Sequence, residues 1–345
     1  MDPVTGLAIA EDIAWLPLDD ASAVGSARRA AERLADQLGL PTGRVAEVGL
    51  AVTEIATNVH CHAGGGALLL RALRTAATAA LEVVAIDAGP GIADLAAARR
   101  DGHSTRGTLG IGLGSIERLA DAVDISSEPG RGTVLIVRFD ADRRSAPGLD
   151  DKVHPAAGIT RALSGEAVCG DAYAVRSAGS RLSLMICDGS GHGPLAAAAS
   201  REAVRAFSDP GESASPETAL RRIHRTLAGT RGGAAAVAEL DLAARSVRFC
   251  GVGNIAGAVV SGAEKRTMVS IGGVAGYRDP TIRTFDYLLP PGSVVVLHSD
   301  GVRARWGAAD LAAVLGRSPL LIAATLLRNA ALRRDDACVL VGRAD

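Results

Sequence analysis

Four aspartates stand where apolar, strand-like runs meet turns. Asp188 closes the run 182–187 and opens the turn Gly189-Ser190-Gly191-His192-Gly193-Pro194. Asp171 follows Cys169-Gly170, Asp300 closes the run 294–299 and precedes Gly301, and Asp335-Asp336 leads into the run 337–341. One such acid reads as a turn cap. Several carboxylates gathered at strand ends cost too much to bury unless cations compensate them. Carboxylate and carbonyl oxygens are hard donors, suited to magnesium or manganese rather than zinc. A pair of such ions would supply the chemistry for hydrolysis of a phosphate ester. Glycine at 189 leaves no Cβ to block approach to the carbonyl beside Asp188.

A second set of residues lies earlier in the chain. Glu54 and Asn58 are one helical turn apart and project from one face, as a carboxylate that could serve as a base and an amide oxygen that could ligate magnesium. Asp87-Ala88-Gly89-Pro90-Gly91 puts an acid at a strand end before a tight turn, where it can accept a hydrogen bond from a purine amino group. Gly107-Thr108-Leu109-Gly110-Ile111-Gly112-Leu113-Gly114 leads toward a helix at Ser115, and backbone amides in such a loop attract phosphate. Its glycine spacing is neither the dinucleotide fingerprint nor a P-loop. Taken singly, each of these three features also reads as a solvated helix face, an ordinary turn or a flexible loop.

The elements that must position these groups follow from apolar periodicity. An opening strand at 9–18, a helix capped by Asp19 or Asp20 and a helix from Pro41 or Thr42 come first. In that second helix Val45, Val48, Leu50, Val52 and Ile55 supply the apolar positions. A hairpin region (67–73 with 81–87), a helix at 115–120 and strands at 122–127 and 133–139 complete one α/β unit. Residues 140–154 are charged, with Pro and Gly and no periodicity, and read as a linker. Strand-like runs then fall at 156–163, 171–178, 181–187, 233–241, 246–250, 255–261, 282–289, 293–299 and 337–342. Helical patterns fall at 195–207, 216–228, 308–315 and 318–331, so two helix pairs are expected over two packed sheets.

Composition agrees with two domains. The chain has 345 residues, 48% of them hydrophobic but only 3% aromatic, so its cores must be built from Ala, Val, Leu and Ile. A formal net charge of −1 without a basic run gives no electrostatic footprint for nucleic acid. Five scattered cysteines and an amino terminus lacking a positive region predict a cytoplasmic protein with free thiols. The most apolar stretch, 67–88, is interrupted by Arg71, Arg74 and Glu82, so no membrane span is expected.

In order, Gly170-Asp171, Asp188-Gly189-Ser190-Gly191-His192-Gly193, Ser299-Asp300-Gly301 and Asp335-Asp336 resemble the motifs of the SpoIIE/RsbX-type metal-dependent serine phosphatases. The resemblance implies an α-β-β-α sandwich over 154–345 with two Mn or Mg ions. Asp188 would bridge them, the Gly189 carbonyl would bind one, Asp300 and Asp335 the other, and Asp171 would act through water. Cys338 stands where the family usually has threonine. Residues 1–140 resemble the small RsbT/RsbW-like GHKL serine kinases and anti-sigma factors, with 141–153 as the linker. That resemblance implies a GHKL α/β sandwich with helices on one mixed sheet, and ATP with Mg as ligand. Glu54 would be the general base and Asn58 the magnesium ligand. Asp87, Gly89 and Gly91 would form the adenine loop, Gly110, Gly112 and Gly114 the phosphate loop, and Thr133 would lie near adenine. The whole is α+β in two domains.

The expected function is therefore that of a bifunctional switch in a bacterial partner-switching or stressosome pathway. Its partners would be STAS-domain proteins, or a sigma factor, and neither nucleic acid nor membrane. Two alternatives stay open at this level: a nucleotide-sensing half that transfers no phosphate, and a half that sequesters a protein. His60-Cys61-His62 reads as a helix end beside the nucleotide rather than a metal site, since neighbours on a helix point apart. His192 reads equally as a polar turn residue or as a proton donor to a leaving serine, and His103-Ser104-Thr105 belongs to the expected lid.

Overall fold

A computed structural model describes residues 9–75, 78–99, 112–142, 155–209, 215–278, 280–332 and 334–344. These fall into two compact units, residues 8–153 and 154–345. Most of the expected linker, 143–153, lies outside the described residues, as do Gly110 and His103-Ser104-Thr105.

The first unit runs β1 (Ile9–Pro17), α1 (Ala21–Gln37), α2 (Thr42–Ala63), β2 (Ala67–Arg74), β3 (Ala79–Ile86), α3 (Leu95–Arg99), α4 (Leu113–Leu119), β4 (Ala122–Glu128) and β5 (Gly132–Asp140). Asp20, not Asp19, starts α1: its Oδ1 accepts from Ser22 N at 2.8 Å and Ala23 N at 3.1 Å. Alternate residues of the strands (Leu68, Leu70, Leu81, Val83, Val137) meet Ala31, Leu34, Val48, Val52 and Ile55 of the helices in one core. Leu50 is not part of it and is 61% exposed, because it lies some 200° around α2 from Val48.

The sheet order is β1-β2-β3-β5-β4, and every neighbouring pair is antiparallel. This corrects the expected mixed sheet. The crossover through α3 and α4 returns β4 in the direction of β3, but β5 inserts between them, so the parallel strands never pair. Arg71 and Glu82, which interrupt the apolar stretch in the sequence, face each other across β2 and β3. Arg71 is 1% exposed and donates to Asp12 at 2.6 Å and to Glu82 at 3.0 Å.

The second unit runs β6 (Ala156–Arg161), β7 (Asp171–Ala178), β8 (Arg181–Gly189), α5 (Pro194–Ser208), α6 (Pro216–Leu227), β9 (Gly233–Asp241), β10 (Ser246–Val252), β11 (Ala256–Ser261), β12 (Glu264–Met268), β13 (Thr284–Leu288), β14 (Val294–His298), α7 (Pro319–Ala330) and β15 (Ala337–Arg343). Two five-stranded sheets form, β13-β10-β9-β8-β7 and β12-β11-β14-β15-β6. Leu184, Ile186, Phe249, Leu297 and Leu340 fill the space between them. The opposite faces of β8 and β9 send Met185, Cys187 and Val237 against Ala199, Ala203 and Leu220 of α5 and α6. Helix α7 packs on β15 and β6, giving the expected α-β-β-α layering.

The expected helix at 308–315 is a single 3₁₀ turn, Ala308–Asp310, followed by further turns. Its amides bond three residues back, Leu311 to Ala308 and Val314 to Leu311. Glycines 307 and 316 bound the segment, and a run this short does not repay helix nucleation. One helix, α7, therefore covers the second sheet rather than a pair. The polar edge strand β12 was not expected, since its Glu-Lys-Arg-Thr-Met sequence buries only Met268.

Candidate functional site

In the first unit, a pocket of about 480 Å³ opens between α2 and the sheet, within the range of small-ligand sites. Asn58, Asp87, Gly91, Gly112 and Thr133 line it, together with His62, which lies one turn beyond Asn58. The strand end presents Asp87 on the pocket floor. Its Oδ1 accepts from Gly89 N at 2.9 Å and Thr133 N at 3.2 Å, which ties the turn to β5. Thr133 Oγ1 lies 2.8 Å from Ser127 Oγ, which itself accepts from Ile92 N at 2.7 Å. Gly91 has φ +71°, and a Cβ there would collide with the Glu128 carbonyl. The Asp-x-Gly-x-Gly turn thus fits under the β4–β5 hairpin with no room for a side chain.

Glu54 is half-buried on α2, and burial raises its carboxyl above the ordinary carboxylate range. It does not line the pocket. Helix α4 begins at Leu113, earlier than expected, because both the amide and the hydroxyl of Ser115 bond to Gly112 O, at 2.9 and 2.7 Å. Gly114 is therefore buried in the first turn of a helix rather than in a loop.

In the second unit, the strand ends bring Asp171, Asp188, Asp300 and Asp335 into mutual electrostatic contact. Asp171 and Asp188 are directly opposed on β7 and β8. Asp188 and Asp300 share a side-chain hydrogen bond across the two sheets. Burial, then the Asp300 and Asp335 carboxylates, push Asp188 up to about 7. Burial and Asp188 hold Asp171 well above its ordinary value, and burial with Asp335 raises Asp300. Among the described residues, no three His, Cys, Asp or Glu side chains are already positioned to hold a metal ion. The approach is pairwise, and the repulsion it carries is what a cation would relieve.

Three supports surround the acids, and apart from Ser299, which belongs to the Ser-Asp-Gly motif, they carry no sequence signal of their own. Ser299 Oγ donates to Asp171 Oδ2 at 2.6 Å and accepts from Cys338 N at 2.9 Å. Asn254 donates to Asp300 at 2.6 Å. Trp306 Nε1 donates to His298 Nε2 at 3.0 Å, so His298 Nδ1 donates to Ser299 O at 2.8 Å, and Lys265 Nζ sits 3.5 Å over the Trp306 ring. Asp335 and Asp336 separate in role. Asp336 is buried and accepts from Leu163 N at 2.7 Å and Gly170 N at 3.0 Å, whereas Asp335 faces Asp188 and Asp300. Gly189 is needed for packing as well as for access, since a Cβ would collide with the Ala196 carbonyl of α5. His192 Nδ1 lies 2.7 Å from Glu166 Oε1, a pair at the exposed edge of the turn.

Among the described residues, no helix is long and apolar enough to cross a membrane. The family model described as a histidine kinase-like ATPase domain matches residues 16–139, and that of stage II sporulation protein E (SpoIIE) matches residues 178–345. Serine/threonine-protein kinase RsbT of Bacillus subtilis (strain 168) is 35% identical over 110 residues, which is 32% of this chain and 83% of RsbT. A solved structure described as "The bacterial stressosome: a modular system that has been adapted to control secondary messenger signaling" is 29% identical, covers 55% of this chain and 98% of that one, and has a TM-score of 0.51. A structure of RsbX in complex with magnesium is 22% identical over 54% of this chain and 93% of that one, with a TM-score of 0.49. The chain belongs to the RsbT-like histidine kinase-like ATPase family through its first unit, and carries a SpoIIE-type phosphatase domain fused behind it.

Proposed function

We propose that the chain both adds phosphate to and removes it from serine or threonine of a partner protein, as a cytoplasmic regulator of a stressosome-type, partner-switching pathway. The division taken is 1–140 for the ATP-binding half, 141–153 for the linker and 154–345 for the phosphatase half. STAS-domain proteins are the proposed substrates, by analogy with the Rsb-type relatives.

The observation that carries the phosphatase half is the meeting of Asp171, Asp188, Asp300 and Asp335 from four strand ends, with Asp171 and Asp188 held well above carboxylate range by burial and by neighbouring carboxylates. Asp188, the Gly189 carbonyl, Asp300 and Asp335 would hold a pair of Mn or Mg ions, with Asp171 behind them. When bound, the pair supplies Lewis acidity and charge compensation toward a phosphate ester. The chain's own groups do the rest. Ser299 and Asn254 fix the orientations of Asp171 and Asp300. His192, which contacts Glu166, would give a proton to a departing serine oxygen. In the other half, Asp87 would accept from the adenine amino group, Asn58 would hold the magnesium of ATP, and the partly desolvated Glu54 would take the proton of the substrate hydroxyl.

The test uses a purified candidate STAS protein with γ-labelled ATP. Asn58→Ala should abolish gain of label and leave its loss intact, whereas Asp300→Ala should do the reverse. Label that neither appears with the native chain nor disappears from a prelabelled partner would refute both halves.

A further inference from the structure

We infer that Arg231 is the side chain that binds the phosphate group of the substrate in the phosphatase half, an assignment that rests on the phosphatase reading above. Strands β8 and β9 are antiparallel, with Asp188 opposite Ala234 and Gly189 opposite Gly233. Carried two residues further, that register sets Arg231 opposite Gly191, in the turn that follows Asp188. The structure continues the pairing: Ser190 N donates to Gly232 O at 3.0 Å. Arg231 Nη1 lies 3.3 Å from where a Cβ on Gly191 would stand, so the guanidinium rests against the turn itself.

Local structure does not account for this side chain. The backbone of its turn is held by other groups, with Gly232 N on Thr230 Oγ1 at 3.0 Å and paired Gly233–Ala275 amides and carbonyls at 3.0 and 2.8 Å. Among the described residues no carboxylate forms an ion pair with Arg231, although the acid cluster lies just along the strand. Glu166, on the far side of the same turn, is engaged with His192. The ions proposed above would offset the charge of the aspartates, which leaves the outward-facing phosphate oxygens to be met by the chain. Arg231 is exposed at the rim, where its guanidinium beside the turn offers two parallel N–H donors that match phosphate oxygens.

The experiment compares native chain, Arg231→Ala and Arg231→Lys, each loaded with manganese, using p-nitrophenyl phosphate as substrate and inorganic phosphate as competitor. Manganese binding is followed separately by thermal shift. For Arg231→Ala, KM and the inhibition constant of phosphate should both rise about tenfold or more, with kcat changed less and the manganese midpoint within about twofold. Arg231→Lys should recover part of the phosphate affinity, since it keeps the charge and loses the fork. An inhibition constant within about twofold of native in Arg231→Ala, with manganese still bound, overturns the assignment alone. A native chain that binds no manganese and cleaves no ester overturns the phosphatase reading and this assignment with it.

Discussion

Asp171 and Asp188 face each other directly on neighbouring antiparallel strands, with both carboxyl groups pushed toward the protonated state, Asp171 by burial and Asp188, and Asp188 by burial, Asp300 and Asp335. Their pairing sets the sign of the pH response. A carboxyl whose folded pKa is raised stabilises the fold while it stays protonated, and that contribution is lost as pH rises through the folded value. With metal stripped away, the phosphatase unit should lose thermal stability from about pH 4, the ordinary carboxylate range, up to about 7, where Asp188 ionises. Magnesium or manganese should restore it and release protons on binding. Melting curves with chelator and with metal across this range provide the check; a chelated protein that gains stability as pH rises would contradict the repulsive cluster.

Adjacent acids should behave oppositely. Asp335→Asn removes a charge from the cluster, so it should leave the metal-free protein as stable or more stable while weakening its response to metal. Asp336→Ala strands the buried amide of Gly170 and the partly buried amide of Leu163 and should cost about 1–3 kcal/mol whether or not metal is present. Denaturant titrations of both variants, with and without manganese, separate the two roles.

Glu54→Gln should leave ATP binding within about twofold of native, because the side chain lies off the pocket lining. Phosphate transfer should fall by about 100-fold or more. In the native chain the transfer rate should climb with pH through the raised Glu54 pKa, since the base must be ionised. A rate for Glu54→Gln equal to native would remove Glu54 from the chemistry and favour a nucleotide-sensing role for this half.

Asp87→Ala should both weaken nucleotide binding and loosen the pocket, because Oδ1 of Asp87 holds Gly89 N and Thr133 N in place. Asp87→Asn keeps an acceptor oxygen for those amides, so it should retain most of the stability. Fluorescent-nucleotide titration alongside thermal melting distinguishes the two losses; equal stability of both variants would rule out the tether.

Local patterning made much of this legible. The strand-end aspartates could be found from sequence because each sits at a switch from apolar run to turn, and α2 because Val48, Val52 and Ile55 repeat at helical spacing. What stayed hidden was long-range. Asn254 is an ordinary polar residue until folding brings it to Asp300 across 46 residues, and the Ser-Asp-Gly motif does not show that Ser299 will bond to Asp171 across 128 residues of chain. Arg71 and Glu82 look like surface charges in one dimension and are buried partners in three. Strand order is equally nonlocal: nothing in residues 122–140 announces that β5 lies between β3 and β4. The helix expected at 308–315 failed for the opposite reason, since its apolar spacing was right but its length was too small.

Ser299 joins three pieces of chain through one hydroxyl, giving to the acid that opens β7 and receiving from the amide of Cys338 in β15. Those strands belong to different layers of the sandwich. Two acids hang from each layer, so slippage of one layer past the other would unseat them as couples and pull on this oxygen first. The aspartates therefore gauge how the layers are seated, and anything that shears the sandwich by a fraction of a residue would dim the site without touching it.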